Sequence, residues 1–240
     1  MYNNVRYLIF SIKELLYNLR KLSLEESKPY IEHYPISQYF SFDITPFIQV
    51  YEFDKGEYIF HEHSFPDYLY YMIEGKAKLY ITHKNGKISL IDFITSPTFM
   101  GEMELLNAER YSKGIQTVTT SICFAISIRE VKEKLLADPV FLKMLCLFLS
   151  QKTMNATAKY TQNQAYPLEN RLASFILLSS DQQFYKEKHT EVCEYLGVSY
   201  RHLLFVLAQF CEEGYLTKKD LGYVLTNRQA LEKLASEITY

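Results

Sequence analysis

The chain has 240 residues, 48% of them hydrophobic and 22% charged, a balance that suits a soluble globular protein of one large or two modest domains. Its 26 basic and 28 acidic side chains leave a net charge of −2, so it does not bind polyanions by bulk charge, and any nucleic-acid reading must rest on geometry. Arg6, Lys13, Glu14, Arg20 and Lys21 interrupt the N-terminal apolar clusters before about 18 apolar residues accumulate, so neither a transmembrane helix nor a signal peptide is expected. The cysteines Cys123, Cys146, Cys193 and Cys211 are widely spaced, sit in apolar runs and form no C-x-x-C pair, which fits a reducing cytoplasm.

Residues 1–45 read as a helical lead-in, with Leu8, Ile12, Leu15, Leu16 and Leu19 on a helical period. After Pro46 the period changes to two, and short strands rich in aromatic and branched residues are predicted over 58–60, 68–73, 77–81, 88–93 and 115–126. Turn chemistry separates them: Asp54-Lys55-Gly56, Glu74-Gly75 and Asn85-Gly86, the last closing a tight hairpin. Residues 46–137 are therefore expected to form a small antiparallel barrel or roll.

From Ser127 the pattern is helical. Ser127 to Glu130 reads as a capping box, and Asp138-Pro139 as a cap and first-turn proline. No glycine or proline intervenes before Pro167, so one long helix is predicted over 138–165, too long for a small domain to cover and suited to pairing with a second copy. Tyr166-Pro167 breaks it and opens a C-terminal domain over 166–240.

Within that domain Thr190 is expected to cap a short helix, Gly197 to turn the chain, and Ser199 to cap the next helix. Leu203, Leu207, Phe210 and Cys211 of this second helix point inward together, while Arg201, Phe205 and Gln209 take the opposite face with His202 at its edge. Such a helix laid in a major groove reads bases with its first two turns. Ser199 suits a phosphate, Arg201 forks onto guanine, Phe205 lies against a thymine methyl, and Tyr200 and His202 reach backbone or base. Residues 216–225 form a wing with Lys218 and Lys219 near its tip, and a second capping box at Thr226 opens a last helix. Acidic neighbours, Glu191, Glu194, Glu212, Glu213 and Asp220, keep open a second possibility, an interaction module whose helix-turn-helix contacts a protein.

The segments YYMIEGKAKLYITHKNGKISLIDF, FMGEMELLNAERYSKG and VCEYLGVSYRHLLFVLAQFCEEGYL, in this order, resemble the Crp/Fnr family of bacterial transcription regulators over about residues 45–238, and within it the YeiL-type subgroup. The resemblance implies an α+β fold: an antiparallel β-roll of the cyclic-nucleotide-binding kind, a long dimerisation helix and a C-terminal winged helix-turn-helix. It further implies a cytoplasmic homodimer on double-stranded operator DNA, with RNA polymerase as a further partner, no membrane, and Tyr200, Arg201 and Phe205 at the base-contacting places. In members that bind cyclic nucleotides a Gly-Glu pair takes the ribose and an Arg-Ser pair the cyclic phosphate. Gly101 and Glu102 match the opening, but Tyr111 falls where the arginine belongs, beside Ser112, and Arg110 is one residue early. A one-residue shift in extended chain turns a side chain to the other face, and a tyrosine hydroxyl does not replace a bidentate charged contact. Cyclic AMP is therefore disfavoured as a cofactor, a bulge bringing Arg110 round being the alternative. The 21 tyrosines and 16 phenylalanines suggest a barrel filled by its own side chains, and the identity of any effector stays open.

No cysteine precedes Cys123, which argues against an iron-sulfur sensor. His61 and His63 are expected on one side of a strand end, where two imidazoles without a third ligand are ordinary surface histidines rather than a metal site. No phosphate loop, G-x-S-x-G or H-E-x-x-H motif is present, and no enzymatic activity is expected.

Overall fold

A computed structural model describes residues 20–107 and 112–238. The N-terminal helical period over 8–19 lies outside the described residues, as do Arg110 and Tyr111. The chain divides into two compact units, one holding the described residues up to Leu79 and Ile94–Leu147, the other Tyr80–Phe93 and everything from Phe148 on.

The strands before residue 128 form two sheets, with residues 80–93 of them counted in the second unit. Strands β1 (Arg20–Lys21), β2 (Ile48–Phe53), β3 (Tyr58–Phe60), β4 (Tyr68–Glu74), β5 (Lys76–Thr82), β6 (Ile88–Thr95), β7 (Thr98–Met100), β8 (Gly114–Thr117) and β9 (Ser121–Ser127) are arranged in the orders β1-β2-β9-β4-β7 and β3-β8-β5-β6. The ladders β1–β2, β2–β9, β9–β4 and β4–β7 are antiparallel. The stretch predicted as one strand over 115–126 is in fact β8 and β9, which belong to different sheets, because Val118 and Thr119 leave β8 to hydrogen-bond to the Lys76 carbonyl.

Strand β4 carries no alternation because both of its faces are covered. Tyr70 and Met72 point into the roll with Tyr51, Phe53, Phe60, Met100 and Cys123. On the other side Tyr71 packs at 4.6 Å from Phe99, and Phe99 leads to Phe141, which stacks on Phe40 at 5.4 Å. The lead-in thus supplies cover through Tyr39 and Phe40, at the end of a 3-10 turn over Ile36–Tyr39 that follows helix α1 (Leu24–His33), itself capped by Ser23 in a capping box with Glu26.

The glycine turns behave as their chemistry requires, with Gly56, Gly75 and Gly86 all at positive φ, but Asn85 is not, and it instead accepts from the Lys87 amide through Oδ1 at 3.1 Å. After the short helix α2 (Glu102–Leu105) and strands β8 and β9 comes α3 (Ile128–Ala137). The capping box expected at its start is absent: Ser127 makes no side-chain cap bond, since it still belongs to β9, and the Ile128 amide goes to the Asp67 carbonyl. Asp138 does cap. Its carboxylate accepts from the Val140 amide at 2.9 Å and from the Ser41 amide at 2.8 Å, opening α4 (Pro139–Ala165) and pinning the lead-in to it. Burial pushes this carboxyl up, but the amides of Ser41, Val140 and Phe141 outweigh it and hold the group below its ordinary value.

The second unit contains the rest of α4, α5 (Leu168–Ser179), β10 (Phe184–Tyr185), α6 (His189–Leu196), α7 (Tyr200–Glu212), the hairpin β11 (Leu216–Lys219) and β12 (Gly222–Leu225), and α8 (Arg228–Ser236). β10 adds a third strand to the hairpin, giving the order β10-β12-β11. Arg171 ties the break after α4 to the end of α6, donating to the carbonyls of Tyr166 at 3.0 Å and Leu196 at 2.6 Å. Residues 80–93 also sit in this unit. Lys159 donates to the Ile91 carbonyl and to Asp92 at 3.0 and 3.1 Å while lying 3.6 Å from the centre of the Tyr195 ring, and Phe93 packs edge-on against Phe175. The cap of α8 is Asn227, through the Ala230 amide, and not Thr226 as its motif suggested, because the Thr226 hydroxyl pairs with Thr217 at 2.7 Å.

Candidate nucleic-acid interface

Helices α6 and α7 form the helix-turn-helix. Gly197 ends α6 in the left-handed region at φ 65°, where glycine carries no Cβ penalty. Ser199 then caps α7, its hydroxyl accepting from the His202 amide at 3.2 Å. Leu203, Val206, Leu207 and Phe210 are buried and fix the helix on the domain, whereas Cys211 is only half-buried. The outward face carries Arg201 and His202, with Phe205 66% exposed and Tyr200 also open to solvent. Ser199, Lys218 and Lys219 are exposed as well. Every residue predicted to meet DNA is thus a surface residue of one unit. Helix α6 starts at His189, one residue before Thr190, with Lys188 in the cap position and no side chain closing its first turn.

Between the wing and the two helices lies a cleft of about 480 Å³, lined among others by Tyr185, Lys186, His189, Tyr200, Lys218 and Tyr223. The His189 ring lies 6.0 Å from that of Tyr200 and 6.2 Å from that of Tyr223. Burial, and then the charge of Lys218, hold His189 below its ordinary pKa. Motif spacing does not reveal this cleft, because it forms only when β10 joins the wing. Its trace in the sequence is the mixed-charge segment Lys186-Glu187-Lys188-His189.

The effector cassette divides. Arg110 and Tyr111 are outside the described residues. Glu102 is buried at the start of α2. Gly101 is in the left-handed region at φ 92°, and a Cβ there would meet Phe60 Cζ at 3.0 Å and the Tyr68 carbonyl at 3.2 Å, so an aromatic ring abuts the opening of the cassette. Ser112 is buried and its hydroxyl is engaged, donating toward the His61 and Ser64 carbonyls at 2.8 and 3.1 Å with Ser64 Oγ at 2.9 Å. These bonds hold a turn over 61–64 in which His63 takes φ 62°. His61 and His63 therefore do not alternate along a strand end as predicted, since β3 has already stopped at Phe60. Among the described residues no cluster of three metal-ligating side chains occurs.

A cyclic-nucleotide-binding-like roll continued by a long helix and a winged helix-turn-helix is the build of a transcription regulator of one bacterial class. Residues 50–138 match the cyclic nucleotide-binding domain family. Over 196 residues, 82% of this chain and 90% of the relative, the sequence is 44% identical to the regulatory protein YeiL of Escherichia coli O157:H7. In fold it is similar to a Crp/Fnr-type regulator of Eubacterium rectale, with a TM-score of 0.67 at 15% identity over 80% of this chain and 92% of that one. A CRP-family regulator of Thermus thermophilus gives 0.60 at 19% identity over 77% and 96%. The chain belongs to the Crp/Fnr family of transcriptional regulators. These relatives are regulatory proteins and not enzymes.

Proposed function

We propose that the protein is a cytoplasmic homodimer that binds operator DNA in a sequence-specific manner through α7 and its wing, and whose β-roll is filled by its own side chains rather than by cyclic AMP. The observation that carries the DNA reading is the outward placement of Arg201 and Phe205 on a capped helix whose opposite face is fully buried. A solvent-facing phenylalanine in the second turn of a helix is unfavourable unless something covers it, and a thymine methyl does so while Arg201 takes a neighbouring guanine. Lys218 and Lys219 on the wing, and Ser199 at the helix N-terminus, supply the phosphate contacts that set the register.

The dimer is supported by α4. Val140, Leu147 and Met154 are exposed at 41, 64 and 65%, and their seven-residue spacing draws one apolar seam along two turns at a time, the geometry by which a helix pairs with its own copy. Duplex DNA, a second copy and, at the promoter, RNA polymerase are the partners. The filled roll is supported by the aromatic cluster around Tyr51, Phe53, Phe60 and Tyr70 and by the engagement of the Ser112 hydroxyl. Among the described residues no helix is long and apolar enough to cross a membrane.

The test is duplex binding as a function of salt. Arg201→Ala should lose about 1–3 kcal/mol of discrimination between operator and random duplex, while Lys218→Ala weakens both alike and flattens the salt slope by about 1. Equal losses on both duplexes for Arg201→Ala refute the base-reading role. The absence of any salt-dependent affinity for duplex favours the alternative, a helix-turn-helix that contacts a protein.

A further inference from the structure

We infer that α7 reads a thymine-bearing half-site, with Leu204 and Phe205 together covering the C5-methyl groups of thymines next to the guanine held by Arg201. The inference rests on the DNA-binding reading above and deepens it by naming the class of sequence that is read.

A helix with one face in the core ordinarily turns a polar face outward. The inner face of α7 is Leu203, Val206, Leu207 and Phe210, all buried. Its outward stripe is Arg201, Leu204, Phe205 and Ala208, which follow one another at i, i+3, i+4 and i+7 and are all exposed. After Arg201 that stripe is apolar throughout. Leu204 is 38% exposed and lies toward the wing, where it lines the cleft with Tyr200 and Lys218.

A recognition helix reads bases with its first two turns. In α7 the polar side chains of those turns, Tyr200, Arg201 and His202, all belong to the first, and the outward pair of the second is Leu204 and Phe205. Gln209, farther on, is of the type that pairs bidentately with adenine, but it is half-buried and its Nε2 donates to Glu213 Oε1 at 3.0 Å. Of the groups on the floor of a major groove, the thymine C5-methyl is the one an apolar side chain matches. The other base edges present donors or acceptors that such a contact would leave unpaired. Residues three and four apart on a helix lie about 5–6 Å from each other and successive bases about 3.4 Å, so the thymines fall one or two steps from the guanine. Charge selects duplex over an apolar protein face as the occupant. Arg201 heads the stripe, and Lys186, Lys218 and Lys219 line the cleft beside Leu204 and outnumber its carboxylates, Glu187 and Asp220.

The experiment is anisotropy of labelled duplexes. A duplex is recovered by in vitro selection with the wild-type chain, and each thymine of its half-sites is replaced in turn by deoxyuridine, which removes the methyl and keeps every hydrogen-bonding group. Burying one such carbon is worth about fourfold in affinity. Deoxyuridine beside the guanine should therefore weaken wild-type binding by about that factor at one or two positions, and deoxyuridine outside the half-sites should change nothing. At the same positions 5-methylcytosine should bind more tightly than cytosine. Leu204→Ala and Phe205→Ala should each abolish the response to deoxyuridine at one position and leave the other intact, whereas Lys218→Ala should leave both. Specific binding unmoved by deoxyuridine at every position, a selected half-site without thymine, or a deoxyuridine effect that survives both alanine substitutions overturns the inference and leaves the DNA-binding reading standing. If selection enriches no duplex and the wild type shows no salt-dependent affinity for random duplex, that reading fails and this one with it.

Discussion

Phe205 and Phe210 lie five residues apart on one helix and should respond to truncation in opposite ways. Phe210 is 1% exposed and packs against Tyr215 at 5.7 Å, so Phe210→Ala removes a core ring and should lower unfolding free energy by about 3–5 kcal/mol. Phe205 is 66% exposed, so only about a third of its surface is buried. Taking roughly 200 Å² for a phenylalanine and about 25 cal/mol per Å², that third stabilises by no more than about 1.7 kcal/mol. Alanine returns about 0.5 kcal/mol of helix propensity, leaving a net loss near 1 kcal/mol. Operator affinity should nevertheless fall by about five- to thirtyfold, or 1–2 kcal/mol, if the ring is buried against DNA. Urea denaturation gives the first quantity and anisotropy with operator duplex the second. A Phe205→Ala chain that unfolds as readily as Phe210→Ala, or that binds operator as tightly as the wild type, would refute the argument.

Gly75→Ala should cost about 3 kcal/mol or more, because the residue is at φ 108° and its Cβ would land on the Ser121 hydroxyl and within 2.6 Å of the Ser121 Cα; an unchanged melting temperature contradicts this. Above pH 10 stability should fall by about 1.4 kcal/mol per pH unit for each of Tyr185 and Tyr71. Burial raises both phenols, so the unfolded chain loses these protons first, and the stabilisation is complete below the ordinary value and lost above it. Tyr185→Phe should blunt that decline in an alkaline denaturation series. Leu147→Asp places a charge at the middle of the exposed seam of α4 and should convert dimer to monomer in sedimentation, with little change in far-ultraviolet circular dichroism.

Most of the architecture was legible because local chemistry and tertiary packing agreed. Gly197 and Ser199 marked the turn and cap without any knowledge of their neighbours, and the apolar positions Leu203, Leu207 and Phe210 placed α7 correctly in its core. Elsewhere a distant partner decided. Ser127 and Thr226 have the right spacing for capping boxes, yet one remains in β9 and the other pairs across the hairpin with Thr217. β10 is two residues long and exists only because β12 offers it a free edge, so neither it nor the cleft it completes has a periodic signature. The engagement of Ser112 was invisible for the same reason, since its partners lie 48 and 51 residues away.

The grouping of residues 80–93 with the C-terminal unit bears on any attempt to dissect the protein. A fragment excised in chain order, starting after Leu147, would lack Phe93 and Asp92. The edges of Phe175 and Tyr195 that Phe93 covers would then face water, and Lys159, whose pKa burial already lowers, would lose its carboxylate neighbour. A self-sufficient DNA-reading fragment would have to carry that hairpin tip grafted back on, or replace both aromatic edges with polar side chains.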